Sequence, residues 1–198
     1  MKKFVLQGEN RHSPHIFISY IKCAKQSGLK TRITTNGIAL TRALLFKLRA
    51  AGLDKITITL NTLNPVTYVK ITRANPKFLE LTKDAVINAA QIFGSENVQI
   101  NVVLTKLNID ESPDIIAFAS KLGVSVKVLE LVRAFDPSDL FIPIEVARKK
   151  LGLENGRFNL KTCDYEFAKD GIKIILRRSC WYNCRGCNLK KKLDVVWI

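Results

Sequence analysis

The sequence predicts an α/β fold built on a parallel sheet of the barrel type, and three observations predict it. Strand-like and helix-like segments alternate through residues 4–129. Glycines stand just after three of the helical segments, at Gly28, Gly52 and Gly123. Two strands interleave polar with apolar residues, at Gln99, Asn101, Ser125 and Lys127. The alternation means βαβ units and a parallel sheet. Parallel strands buried on both faces read as near-continuous apolar runs. The interleaved polar residues therefore indicate a barrel interior that holds a ligand, or else a sheet edge that faces solvent.

The elements follow in order. Phe4-Val5-Leu6 is a short apolar strand that runs into Gly8. Ser13 and Pro14 open a helix, Ser at the cap and Pro at the first position. That helix carries apolar residues at 16, 17, 20, 21 and 24 and stops at Gly28, a natural C′ residue. A strand over Thr31–Thr34 ends at Asn36-Gly37. Thr41 caps a helix that runs to Ala51 and is stopped by Gly52. A strand covers Ile56–Leu60. Asn64-Pro65 opens a short helix, and a longer one spans Lys77–Phe93. A strand over Val98–Leu104 precedes a helix opened by Ser112-Pro113 and ended by Gly123. A strand over Val124–Leu129 completes the series. Beyond it the rhythm changes. Residues 144–151 read as a helix, and Arg157–Leu160 and Ile172–Leu176 as short strands, the second opened by the turn Asp170-Gly171. The expected division is residues 1–132 and 133–198.

Composition narrows the class. The 198 residues are 47% hydrophobic and 25% charged, which is a core-forming chain and excludes a disordered tail or a fibrous repeat. With 32 basic and 17 acidic residues the net charge is +15, so the surface attracts phosphates, nucleotides or nucleic acid. No apolar run approaches the roughly 18 residues a membrane-spanning helix needs. Residues 1–9 lack the apolar stretch of a signal peptide, which makes the cytoplasm the default expectation.

Strand ends carry the ligand groups in sheets of this kind. Here those ends hold Gly8-Glu9, Thr35-Asn36-Gly37, Asn61 and Glu130. Four segments in this order, Gln7-Gly8-Glu9-Asn10, Thr34-Thr35-Asn36-Gly37, residues 51–63 and Ile100-Asn101-Val102-Val103, resemble the radical S-adenosylmethionine enzymes. They resemble most closely the molybdenum cofactor biosynthesis protein A family, the GTP 3′,8-cyclases. The resemblance implies a partial barrel of six βα units, a cyclase acting on GTP, and a C-terminal region with a second iron–sulfur cluster. It also implies that Gly8, Glu9, Thr35, Asn36, Thr59 and Asn101 bind S-adenosylmethionine. Glu9 can accept from the ligand's ammonium, and Gly8 lets the backbone come close. The match is not complete. The family's Gly-Gly-Glu-Pro is Gln7-Gly8-Glu9-Asn10, its Ser-Leu-Asp-Ser is Thr59-Leu60-Asn61-Thr62, and the Lys before its Ile-Asn is Gln99.

In the family a Cys-x3-Cys-x2-Cys loop after the first strand binds the [4Fe–4S] cluster that cleaves S-adenosylmethionine. This sequence matches from the second strand on, so the barrel is expected to be incomplete and the chain not catalytic alone. Phe4-Val5-Leu6 is then expected at a sheet edge, covered by a homodimer partner or by the C-terminal segment. Cys23 stands alone and reads as a small buried hydrophobe.

The other four cysteines are clustered. Cys180-Trp181-Tyr182-Asn183-Cys184-Arg185-Gly186-Cys187 is a Cys-x3-Cys-x2-Cys motif, and Cys163 can supply a fourth thiolate. Four thiolates suit a [4Fe–4S] cluster or zinc, with Arg177, Arg178 and Arg185 to offset their charge. By position the motif matches the family's auxiliary cluster. A permuted primary cluster, with strand 172–176 in the first-strand slot, is the alternative. Arg73 and Lys127 are the basic candidates for nucleotide phosphates. A different function class fits the same residues: a non-catalytic protein that binds metal and a nucleotide or nucleic acid through its basic face.

Overall fold

The structure, a computed structural model, describes residues 3–7, 14–131, 139–153, 155–159, 162 and 164–178. Its elements are β1 (Lys3–Gln7), α1 (Pro14–Gln26), β2 (Lys30–Thr35), α2 (Arg42–Ala50), β3 (Lys55–Thr59), α3 (Pro65–Thr72), α4 (Lys77–Phe93) and β4 (Val98–Leu104). They continue as α5 (Ser112–Lys121), β5 (Ser125–Glu130), α6 (Ile144–Lys150), β6 (Arg157–Asn159), β7 (Asp164–Lys169) and β8 (Ile172–Arg177). Local chemistry sets the boundaries. The Thr41 hydroxyl accepts from the Leu44 amide at 3.2 Å to start α2, and Asn64 Oδ1 accepts from the Val66 amide at 2.8 Å to start α3. Each satisfies a donor that the first helical turn leaves free.

All eight strands form one open sheet in the order β1-β2-β3-β4-β5-β8-β7-β6. Neighbours from β1 to β5 pair in parallel, as the βαβ rhythm requires. Strand β8 then pairs in parallel with β5, Val126 opposite Ile174 and Val128 opposite Leu176. The parallel part of the described sheet thus has six strands, and the sixth comes from the C-terminal region. Its place beside β5 is at the opposite end of the order from β1, so strand 172–176 does not fill a slot next to β1 as the permuted alternative expected. Nor does the described C-terminal region cover β1, which pairs only with β2 among the described residues. Strand β7 was not anticipated from the sequence. It pairs antiparallel with β8, and β6 with β7.

The two faces of the sheet differ. One carries Ile33, Ile56, Ile58, Ile100, Val102, Val126, Val128, Ile174 and Leu176, all buried. They form one core with Leu45 and Leu48 of α2, Val86, Ala89 and Ile92 of α4, Ile115 and Ala119 of α5, and Ile144 of α6. The period-2 geometry of a strand puts the intervening residues on the other face. There the register aligns Thr34, Thr57, Gln99 and Ser125 in one row, and Thr59, Asn101 and Lys127 in the next. Thr57 and Gln99 are buried nonetheless. They lie on central strands, so this polar face is interior and not a solvent-facing edge.

Ile100 is fully buried at the centre of the apolar face. Ile100→Ala is expected to cost about 2–5 kcal/mol, from lost transfer free energy plus the residual cavity. Val66, 62% exposed on α3, should tolerate Val66→Ala within about 0.5 kcal/mol. Urea unfolding of both variants against the parent chain checks the contrast.

Candidate functional site

The polar face is held at its rim by backbone-directed side chains. At the end of β2 the Thr35 hydroxyl accepts from the Gly37 amide at 3.1 Å, and Asn36 Oδ1 accepts from the Ile38 amide at 3.1 Å. Gly37 has φ +83°, and a Cβ there would lie 3.0 Å from Ile58 Cγ2 and 3.2 Å from Ala85 Cβ. Only glycine meets both demands. Asn61 extends the β3–β4 ladder past Thr59: its Oδ1 accepts from the Val103 amide at 2.9 Å. Asn108, fully buried, braces the same corner, donating to the carbonyls of Asn61 at 2.8 Å and Val103 at 3.0 Å. The neutral Asn61, which stands where the family has a carboxylate, is therefore part of the strand pairing.

Below the rim lies a charged cluster. Arg32 reaches from β2 across β3 to β4, where its Nη2 donates to Gln99 Oε1 at 2.7 Å. Gln99 passes the chain on, donating from Nε2 to Asn101 Oδ1 at 3.1 Å. On the other side, Arg177 of β8 makes a two-pronged contact with Asp164 of β7, Nε to Oδ1 at 2.7 Å and Nη2 to Oδ2 at 2.8 Å. Lys127 stands between, its Nζ 3.7 Å from Asp164 Oδ2, with 13% of its side chain exposed. Lys127 and Arg177 thus share one carboxylate, and Arg32 has the neutral Gln99.

The electrostatics record the imbalance. Burial, and then the Arg177 guanidinium, push Lys127 down to about 8 against the pull of Asp164, and Arg32 lowers it further. Burial and Arg177 also lower Arg32. Burial raises the Asp164 carboxyl, but the Arg177 hydrogen bonds and the Lys127 charge outweigh it and hold the group below the usual carboxylate range. Two polar atoms on this face, Arg32 Nε and Thr57 Oγ1, are buried without a hydrogen-bond partner among the described residues. An orphaned buried polar atom costs about 1–3 kcal/mol. The donor set suits an anionic or strongly polar ligand.

Of the residues expected from the sequence, the structure brings Thr59, Asn101 and Lys127 side by side on β3, β4 and β5, with Thr35 and Asn36 at the end of β2. Arg73 lies elsewhere, exposed at the C-cap of α3 with φ 55°. Gly8, Glu9, Cys163, Cys180, Cys184 and Cys187 lie outside the described residues. Among the described residues no group of three or more His, Cys, Asp or Glu could hold a metal ion, and Cys23 is exposed rather than buried. Of the three arginines expected to offset thiolate charge, Arg177 pairs with Asp164 and Arg178 with Glu145 at 3.0 Å, and Arg185 lies outside the described residues. Sequence reasoning missed Arg32, Thr57 and Asp164. Arg32 and Thr57 had a signal: each stands two residues before a polar residue on the same strand.

The comparisons with known proteins agree with this architecture. A model of the radical SAM superfamily matches residues 2–119. The probable GTP 3′,8-cyclase of Methanococcus aeolicus is 30% identical over 162 residues, 81% of this chain and 48% of the relative. The chain thus spans about half the length of that curated relative. Among solved structures, Streptococcus suis SuiB bound to S-adenosylmethionine is similar over 74% of this chain and 34% of its own, at 15% identity and a TM-score of 0.56. Coproporphyrinogen III oxidase (HemN) from Escherichia coli, a radical SAM enzyme, is similar over 88% of this chain and 50% of its own, at 13% identity and a TM-score of 0.55. No helix of the described residues is long and apolar enough to cross a membrane.

Lys127 titrates near 8 in the fold and near 10.4 in the unfolded chain. Between these values the unfolded state binds the extra proton, so this group's contribution to stability rises with pH. Below about 8 the full penalty of the buried charge is present. Lys127→Met is expected to be more stable than the parent at pH 7, by on the order of 2 kcal/mol, with the difference fading towards pH 10. Denaturation midpoints of both chains across that range, in buffers free of polyvalent anions, measure it. A constant difference would assign the effect to packing instead.

Proposed function

Because the chain belongs to the radical S-adenosylmethionine superfamily, we propose that its polar face holds S-adenosylmethionine and a GTP-like nucleotide, in the manner of the cyclases it resembles. The single observation that carries this reading is the alignment of Thr59, Asn101 and Lys127 over three adjacent strands, beside buried donors that lack a partner. Thr59, Asn101, Thr35 and Asn36, with Gly8 and Glu9, take S-adenosylmethionine. Hydroxyl and amide groups at the strand ends can bond the ribose and the methionine ends of the ligand. Lys127 and Arg32 take the negatively charged part of the nucleotide, with Arg73 further out. Burial of the cations strengthens this, because a charge pair gains more where water is excluded.

Residues 1–132 form the barrel part in this reading, and residues 133–198 the part that carries a cluster. Cys163, Cys180, Cys184 and Cys187 hold a [4Fe–4S] cluster there, with zinc as the competing metal for four thiolates. A reduced [4Fe–4S] cluster bound to S-adenosylmethionine supplies the electron that cleaves it. The cysteine motif follows the barrel strands in this sequence, as an auxiliary cluster would, so the chain binds its ligands but does not cleave S-adenosylmethionine alone. A site built on four thiolates fits a reducing compartment, the cytoplasm. The convergence of three cations on one face also favours a second reading, a non-catalytic protein that binds a nucleotide or nucleic acid there.

Two measurements test this. Asn101→Leu should weaken S-adenosylmethionine binding by about tenfold or more in calorimetry, while Arg73→Ala should leave it unchanged. Protein reconstituted anaerobically with iron and sulfide, then reduced with dithionite, should contain iron rather than zinc and release no 5′-deoxyadenosine. Accumulation of 5′-deoxyadenosine that Cys184→Ala abolishes would mean that the C-terminal cysteines hold the cleaving cluster. Equal S-adenosylmethionine affinity in the parent and Asn101→Leu would remove the polar face as its site.

A further inference from the structure

Arg32, Gln99 and Asn101 form a chain of hydrogen bonds from β2 to β4 whose donors can point only one way. A guanidinium has donors and no acceptor. Arg32 Nη2, 2.7 Å from the Gln99 side chain, therefore meets its oxygen. That fixes the Gln99 amide, with Oε1 towards Arg32 and Nε2 towards Asn101. Nε2 can only donate, so the Asn101 atom it meets at 3.1 Å is Oδ1. A flip of either amide would set one donor against another. Gln99 is only 8% exposed, and a buried amide keeps its ends bonded. Gln99 and Asn101 stand two residues apart on one strand, so they share a face, and the chain runs along β4 towards the rim. Asn101 is half-buried. Its Nδ2 has no hydrogen-bond partner among the described residues.

We infer that Gln99 is a positioning residue: it passes the donor-only character of Arg32 on to Asn101, so that Asn101 meets its ligand as a hydrogen-bond donor. This rests on the proposed reading that Asn101 binds S-adenosylmethionine. It adds which kind of ligand atom Asn101 recognises and which residue decides it. The atom that faces Asn101 is an acceptor: a carboxylate oxygen, a ribose oxygen or a ring nitrogen of adenine. The ligand's ammonium and the adenine amino group are donors and do not fit there. An asparagine free to turn could present either end of its amide. Held by Gln99, it presents one. A ligand that brings a donor to this place leaves two donors face to face, each without its bond. The site thus rejects the wrong group as well as attracting the right one. Arg32 is a dependable anchor for this, because a guanidinium keeps its proton and its donors at any ordinary pH.

The test measures S-adenosylmethionine binding by calorimetry in the parent chain, Gln99→Glu, Asn101→Asp and Gln99→Met. Gln99→Glu keeps the shape and the bond to Arg32 but has no donor for Asn101. The Asn101 amide then turns its NH2 to the new carboxylate and its oxygen to the ligand. Asn101→Asp presents an acceptor to the ligand directly, while Gln99 still donates to its other oxygen. Each should weaken binding by about tenfold or more, the cost of leaving a polar group unpaired. Added negative charge alone predicts the reverse, because S-adenosylmethionine, with its sulfonium, ammonium and carboxylate, is a net cation. Gln99→Met lets the Asn101 amide turn freely and should weaken binding by less than Gln99→Glu. In the parent the side-chain NH2 signal of Asn101 in nitrogen–proton NMR should move when S-adenosylmethionine is added, and in Gln99→Glu it should stay. Equal movement in both chains overturns the inference. So does a folded Gln99→Glu or Asn101→Asp chain, judged by its thermal midpoint, that binds as tightly as the parent or more tightly. If Gln99→Glu fails to fold, Gln99→Met carries the test, and an affinity equal to the parent's overturns the inference. If Asn101→Leu also binds like the parent, the polar face is not the site, and the proposed function falls first and takes the inference with it.

Discussion

Lys127 carries its ammonium into a sheet whose opposite face is sealed by helices, and the arrangement of the polar face follows from how that charge is compensated. Its side chain is only 13% exposed, and its nearest carboxylate is already committed to Arg177. Taking a charge out of water is expensive unless a partner with good geometry replaces the hydration. Here the replacement is incomplete, which is why Lys127 titrates well below an ordinary lysine. A fold selected for stability alone would put an apolar residue at this position, as it does at Val126 and Val128 on the other face. The retained imbalance is what supports the proposal that this face binds a ligand.

The partner that Lys127 does have reaches it through topology. Asp164 is 37 positions along the chain and sits on β7, which touches the parallel sheet only because β8 docks beside β5. The apolar face makes that docking favourable. Ile174 and Leu176 are fully buried against the same core as Val126 and Val128, and Phe167 of β7 joins them. Each such side chain contributes roughly 1.5–3 kcal/mol when removed from water. The hairpin is thus held from one side by hydrophobic burial and delivers its charges on the other. Packing and site chemistry are two faces of the same strands.

Much of this was legible from residue order. The strand–helix alternation, the caps at Thr41 and Asn64, and the interleaving of Gln99, Asn101, Ser125 and Lys127 are local signals. Each has one dominant physical reading. The rest depended on pairings between distant segments. Strand β7, Asp-Tyr-Glu-Phe-Ala-Lys, has three charges in six residues and little β-branching, so its propensity is poor. It is a strand because β8 offers it a full ladder and Phe167 a place in the core. Likewise Arg177 has a positive charge beside a cysteine motif in the sequence, and nothing local says that its fork belongs to Asp164. Asn61 is the subtler case. Its position marked it as a site residue, whereas its amide oxygen completes the β3–β4 ladder. A short polar side chain at a strand end can serve the backbone as readily as a ligand.

The cation count also bears on how the basic composition should be understood. A net charge of +15 suggests a surface that gathers anions indiscriminately. Surface charge of that kind is screened within about 10 Å at ordinary salt and confers little selectivity. The three cations of the polar face are different in kind. They are partly withdrawn from water, Arg32 held by Gln99 and Arg177 by Asp164. Fixed donors in a water-poor setting need no reorganisation when a ligand arrives, so they convert attraction into recognition of a particular charge and shape.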